Sequence, residues 1–130
     1  MKILLDTHIF LWYITGDERL SPSILPIIRD PANEVYLSVI SVWETIIKCQ
    51  LGKLLLPERP AIYLPEQRQK HGIESLGLDE ESVANLAKLP TLHKDPFDRM
   101  LLCQAIRFGL TIISTDNAVR AYASHISIVP

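Results

Sequence analysis

The chain has 130 residues, 48% of them hydrophobic and 22% charged, which fits one globular domain over residues 1–130 and excludes disordered, repetitive and fibrous classes. Thirteen basic against fifteen acidic residues leave a net charge of −2, so no global field draws in a polyanion and nucleic-acid binding would need a local basic patch. Lys48, Lys53, Arg59, Arg68 and Lys70 are the candidates for one, although scattered cations are ordinarily solvated helix faces.

In chain order, Ile3-Leu4-Leu5 is a short continuous apolar run, the pattern of a strand buried on both faces, and it ends at Asp6. Thr7 to Ile14 reads as a helix closed by Gly16. A second helix starts at Ser21-Pro22 and runs to about Arg29, and Asn33 to Leu37 reads as a strand. From Ser41 to Leu51 the residues Val42, Trp43, Ile46, Ile47 and Leu51 recur at helical spacing before Gly52. Further helices are predicted over Ala61 to His71 and Asp79 to Leu89, flanking a short strand from Ile73 to Leu76. Asp95-Pro96 launches a helix to Phe108, with Asp95 at the N-cap and Pro96 in the first helical position. Leu110 to Ile113 is a second buried-type strand, and Asp116 follows it as Asp6 follows the first. A helix from Asn117 to Ala123 and a strand from Ile126 to Val129 complete the chain. Strands alternating with helices predict a three-layer α/β/α domain around a central, mainly parallel sheet.

The remaining features narrow the class. Cys49 and Cys103 have no metal or redox spacing and read as buried thiols in a reducing compartment. Asp6 and His8 interrupt the apolar N-terminal run, no small-residue cleavage site follows, and no run is long enough to span a bilayer. A cytoplasmic protein without membrane contact is expected. There is no Ser–His–Asp or Cys–His arrangement, no phosphate-cradling glycine loop and no zinc spacing.

Acids carry the chemistry. In open parallel sheets, ligands bind beyond the carboxyl ends of the strands. Asp6 and Asp116 fall at such ends, while Glu44 and Asp98 fall in first turns of helices that start at the same edge. Each has a structural role available: Asp6 and Asp116 as N-caps, Glu44 in a capping box with Ser41, Asp98 facing the helix dipole. A cap contributes about 1 kcal/mol, whereas two carboxylates ~4 Å apart repel by about 4 kcal/mol at an effective dielectric of 20. Convergence of four acids would therefore require a cation, and oxygen ligands favour a hard one, Mg²⁺ or Mn²⁺. Phosphodiester hydrolysis by metal-activated water is the chemistry such a site suits.

The stretches LLDTH around Asp6, SVISVWE ending at Glu44, HKDPFDRML with Asp98 and ISTD ending at Asp116 together resemble a PIN domain, and within it the VapC-like toxins of bacterial type II toxin–antitoxin pairs. The resemblance spans residues 3 to 116. It implies a PIN-like fold and a magnesium-dependent endoribonuclease that cuts RNA, is held inactive by a small cognate antitoxin and is commonly assembled as a homodimer. It further implies Asp6, Glu44, Asp98 and Asp116 as catalytic and metal-binding residues, with Asp6 and Asp98 foremost and Ser114 in support. Asp95 is read chiefly as the helix cap, and Arg99 as pairing with an acid or reaching a phosphate, a surface salt bridge being the commoner role for such an arginine. His8 and His93 lie near the expected site. Trp12, Tyr13, Trp43 and Tyr63 suit the core as well as an RNA platform, with Trp43 assigned to the core by its helical spacing. The antitoxin is expected to cover an apolar groove, because Thr45 to Leu56 carries more apolar side chains than one face can bury, and to reach the acids with a basic side chain.

Three other readings compete. A receiver-like phospho-acceptor domain also clusters acids at strand ends, but it carries paired acids after the first strand and a late lysine; here Asp6 is followed by Thr7-His8, and Ser124 to Pro130 lacks lysine. A haloacid-dehalogenase-type phosphatase needs a second aspartate where His8 stands. A non-catalytic PIN-fold binding protein would not need the acidic quartet.

Overall fold

Ile3, Leu4 and Leu5 have no exposed surface because β1 (Lys2–Leu5) is the middle strand of the sheet in this computed structural model, which describes residues 1–130. The other strands are β2 (Glu34–Ser38), β3 (Glu74–Leu76), β4 (Thr111–Ile113) and β5 (Ile128–Val129), and the order across the sheet is β3-β2-β1-β4-β5. Every neighbouring pair is parallel. The chain thus builds outward from β1 through β2 to β3 and then returns to the far side of β1 for β4 and β5.

The helices are α1 (Thr7–Thr15), α2 (Leu25–Arg29), α3 (Val39–Gln50), α4 (Pro60–Lys70), α5 (Glu80–Ala84), α6 (Pro96–Phe108) and α7 (Asn117–Arg120). Alternating strand residues feed opposite cores, as the two-residue period of a strand requires. Ile3 and Leu5 pack with Phe10 of α1, Ile28 of α2 and Leu64 of α4. Leu4 packs with Leu101 and Leu102 of α6, Val119 of α7 and Tyr122. The expected three-layer α/β/α architecture is therefore present, with a sheet that is wholly parallel. No helix is long and apolar enough to cross a membrane.

Several element boundaries differ from the sequence expectation for identifiable reasons. The second helix begins at Leu25, because Ser21 to Ile24 forms a turn closed by Ile24 N–H on Ser21 O at 3.0 Å. The helix after β2 begins at Val39, where Ser38 is the cap: its hydroxyl accepts from Ile40 N at 3.0 Å and donates to Gln104 Oε1 at 2.5 Å. The capping box expected at Ser41 and Glu44 does not form, and Glu44 lies in the second turn. The helix expected from Asp79 to Leu89 is α-helical only to Ala84 and continues as a 3₁₀ turn over Asn85–Ala87, where Asn85 Nδ2 donates to Cys103 O on α6. The helix after Asp116 stops at Arg120, and the turn beyond it buries the Tyr122 ring completely. Gly109 closes α6 with φ 63°, a backbone conformation that glycine adopts without strain; the chain then drops into β4.

Candidate active site

The sheet reverses direction of growth between β1 and β4, and parallel α/β sheets bind ligands at such a reversal, beyond the carboxyl ends of the strands. Asp6 leaves β1 there, and Ser114 and Asp116 leave β4. Asp6 is 3% exposed. Although it occupies the N-cap position of α1, its side chain makes no capping hydrogen bond, which removes its purely structural explanation. Ser114, fully buried, donates its hydroxyl to Asp6 Oδ2 at 2.6 Å and accepts from Asp116 N at 3.1 Å. Asp116 is exposed and does cap α7, accepting from Ala118 N at 2.9 Å. Asp6 and Asp116 line one cavity of ≈ 340 Å³ together with His8, Trp12 and Arg19.

Asp98 enters from the first turn of α6. Asp95 caps that helix as expected, its Oδ1 accepting from Phe97 N at 2.9 Å and from Asp98 N at 3.1 Å. Asp98 Oδ2 lies 2.8 Å from His93 Nε2, so His93 belongs to the site. Metal-ligating atoms of His93, Asp95 and Asp98 all fall within 4.8 Å of one another. Arg99 meets no carboxylate, contrary to expectation: its Nη1 donates to Pro90 O and His93 O, each at 3.2 Å, and to Tyr122 Oη at 3.3 Å. Tyr122 Oη also accepts from Leu92 N and His93 N and donates to Pro90 O at 2.6 Å. Arg99 and Tyr122 thus clamp the segment that presents His93 to Asp98.

Glu44 is 2% exposed on α3. Thr7 donates its hydroxyl to Glu44 Oε1 at 2.9 Å and stands 2.8 Å from Ser41 Oγ, while Lys48 donates to Glu44 Oε2 at 2.6 Å. Both oxygens are therefore engaged within the chain, and Lys48 neutralises this acid from one helical turn away.

Electrostatics tie three of the acids together. Burial pushes Asp98 up to about 7, against the hydrogen bond from His93, and the charges of Asp6, Asp95 and Glu44 push the same way. Burial likewise raises Asp6, opposed chiefly by the Ser114 hydroxyl, and Glu44 adds repulsion. Two groupings of possible ligands overlap at Asp98: the close triad with His93 and Asp95, and the mutually repelling trio with Asp6 and Glu44. Asp95 caps the helix through Oδ1 and is half-buried, and Glu44 is paired with Lys48, so among the buried acids the unmet demand for positive charge rests on Asp6 and Asp98. The sharpest sign of it is Asp6 Oδ1, buried without a hydrogen-bond partner, since a buried carboxylate oxygen otherwise finds a donor or a cation. The donor set of carboxylate oxygens fits a hard divalent ion.

Sequence reasoning named the acids and Ser114, placed Lys48 in a basic patch rather than beside Glu44, and missed Thr7 and Tyr122. Lys48 stands four residues after Glu44 on one helix, a spacing that could have flagged it; Thr7 and Tyr122 act only through tertiary contacts. Trp43 is misassigned to the core. It is 56% exposed, meets Phe97 edge-on with ring centroids 4.9 Å apart, and lines an apolar groove of ≈ 360 Å³ with Val42, Ile46 and Leu64. Of the two thiols only Cys103 is buried; Cys49 is half-buried, and burial raises the pKa of both, which leaves them poor nucleophiles.

Comparison with known proteins places these features in context. The family model of the PIN domain matches residues 3–124. Ribonuclease VapC22 of Mycobacterium tuberculosis is 26% identical over 121 residues, covering 92% of this chain and 91% of that protein. Among solved structures, VapBC2 from Rickettsia felis bound to a DNA fragment from their promoter superposes with a TM-score of 0.72 at 15% identity, covering 99% of this chain and 98% of that one. VapBC-1 from nontypeable Haemophilus influenzae superposes with a TM-score of 0.71 at 16% identity, covering 99% and 97%. At such identities the structural likeness shows the fold.

Proposed function

The chain belongs to the PIN domain family, and from that premise we propose that it is a metal-dependent endoribonuclease acting as the toxin of a type II toxin–antitoxin pair. The observation that carries the reading is Asp6 Oδ1, a buried carboxylate oxygen with no partner, beside an Asp98 raised to about 7 largely by burial. The similarity to a protein named as a ribonuclease along nearly the whole chain supports the activity. A receiver-like domain is disfavoured by the sheet: that fold places its strands in the order 2-1-3-4-5, whereas here β3 lies outside β2 and β1 adjoins β4.

In this reading Asp6 and Asp98 hold a divalent cation, Mg²⁺ first and Mn²⁺ as a substitute, because both ions suit carboxylate oxygens. When bound, the ion lends charge to activate water and to stabilise the leaving oxygen of a phosphodiester. The chain's own residues set the stage. Ser114 orients Asp6 through Oδ2 and leaves Oδ1 for the ion. His93 orients Asp98, and Arg99 with Tyr122 holds His93 in place. Glu44, paired with Lys48, shapes the charge of the pocket. Asp116, exposed and lining the same cavity as Asp6, completes the quartet from the solvent side.

A small antitoxin is the proposed partner, supported by the similarity to VapBC complexes. A basic side chain from it would answer the same unmet charge as the metal. The exposed apolar groove around Trp43 suits a second copy of the chain in a homodimer. The decisive assay follows RNA degradation by purified protein with Mg²⁺, with chelator, and in Asp6→Asn and Asp98→Asn. Cleavage that needs the ion and disappears in both variants is expected; cleavage that persists equally in both would refute the assignment.

A further inference from the structure

Three acids of the chain are buried, Asp6 at 3% exposure, Glu44 at 2% and Asp98 at 8%, and no lysine or arginine is buried with them. One such cation reaches any of the three. Lys48 Nζ lies 2.6 Å from Glu44 Oε2, and because Lys48 follows Glu44 by one turn of α3 the helix itself sets the contact. The other oxygen, Glu44 Oε1, is taken by the Thr7 hydroxyl at 2.9 Å. Glu44 thus has both oxygens engaged, whereas Asp6 keeps Oδ1 without a partner. The charges of the pocket follow from this. Three buried carboxylates bring three negative charges; Lys48 supplies one positive charge and a single divalent ion supplies two, so one ion leaves the site neutral. A second would leave an excess of positive charge where water screens it poorly. Asp95, half-buried, and Asp116, exposed, each cap a helix and meet solvent, so they call for no further ion.

We propose that Lys48 stands in for a second metal: the site takes one divalent ion, held by Asp6 and Asp98, and Glu44 is the counter-charge of Lys48 instead of a metal ligand. The inference rests on the metal-dependent ribonuclease reading and fixes how many ions that site needs. It departs from the ligand role that the family resemblance implies for Glu44. Two-metal sites hold their ions about 3.5–4 Å apart, and here the carboxylate that would serve the second ion already holds an ammonium. Lys48 is therefore a positioning residue, acting on the ion through the charge of the pocket. The competing arrangement has Glu44 release Lys48 and ligate the ion.

The test counts Mn²⁺ bound to the full chain by electron paramagnetic resonance, at about pH 8, where an ordinary imidazole is neutral. One tightly bound ion without spin coupling to a neighbour is expected in the unaltered chain and in Lys48→Arg, which keeps the charge. Lys48→Met is expected to take up a second ion, because Glu44 is then free to ligate. Glu44→Gln leaves Lys48 unopposed beside the ion, and affinity is expected to fall roughly tenfold, the lower end of what groups around a metal ligand are worth. Adding Lys48→Met to Glu44→Gln is expected to restore it. This double variant strands no buried acid, so it keeps the test valid if Lys48→Met alone misfolds. Two coupled ions in the unaltered chain would overturn the proposal, as would a folded Lys48→Met that still binds one. A loss in Glu44→Gln that the double variant fails to correct would also overturn it, since Glu44 would then be a ligand. If the unaltered chain cleaves RNA with two ions, this inference alone falls; if it binds no divalent ion, the functional reading falls with it.

Discussion

Ser114 and Asp6, separated by 108 residues in sequence, share a buried hydrogen bond of 2.6 Å, and through it β4 fixes the carboxylate that β1 delivers. Ser114→Ala should leave the fold intact and free the Asp6 side chain to turn. Partners that orient a metal ligand are typically worth 10–100-fold in metal affinity or activity. A Mg²⁺ titration by calorimetry is expected to show a loss of about that size, and unchanged affinity would mean that Asp6 is not the ligand.

Burial raises Asp98 to about 7 from 3.8, and raises Asp6 as well. An acid whose folded pKa lies above its unfolded value holds its proton more tightly in the native state. Its contribution to stability is complete below the unfolded value and is lost as pH rises to about 7. Metal-free protein should therefore melt at falling temperature between pH 4 and 7, by on the order of 5–10 °C. Protons and Mg²⁺ compete for the same oxygens, so the stabilisation by Mg²⁺ should grow across that interval. Thermal scans at several pH values, with and without the ion, check both slopes.

Lys48→Met would strand Glu44, whose side chain is 3% exposed, opposite an uncharged group. Breaking a buried pair costs roughly 3–5 kcal/mol; Lys48 keeps 33% of its side-chain surface in solvent, which places the expected loss at or below the lower bound. Divalent ions should stabilise this variant more than the parent, because Glu44 then joins Asp6 and Asp98 as a third uncompensated acid. Denaturant unfolding with and without Mg²⁺ measures the difference.

Tyr122→Phe would remove the acceptor of Leu92 N and His93 N. The expected cost is on the order of 1–3 kcal/mol, with faster hydrogen exchange at those two amides. Activity should fall less than in Asp98→Asn, since His93 keeps its anchor from Arg99 on the backbone oxygen.

The parts of the fold that could be read in the sequence are those set by local physics. Ile3-Leu4-Leu5 announces a central strand because a strand covered on both faces has no reason to alternate. Asp95-Pro96 announces a helix start because both residues suit it irrespective of context. The sequence puts Glu44 one turn too early because Ser41 offers the same capping chemistry as Ser38, which caps the helix and also bonds Gln104 on α6. Trp43 repeats with helical spacing yet faces outward, since periodicity marks a common face without saying what covers it. The clamp made by Arg99 and Tyr122 joins backbone atoms of a loop, and no spacing rule encodes such contacts.

The order of the strands has a consequence for synthesis and decay. β1 can pair with β2 as soon as residues up to Ser38 exist, but its other edge waits for β4 at Thr111–Ile113. A nascent or proteolysed N-terminal fragment therefore carries Asp6 and Glu44 without Asp98 or the Ser114 hydroxyl. Such topology makes folding slow and late. It also sets when the acidic pocket can form: a chain caught partway through translation holds Asp6 and Glu44 alone, and Asp98, Ser114 and Asp116 join them only once α6 and β4 are in place.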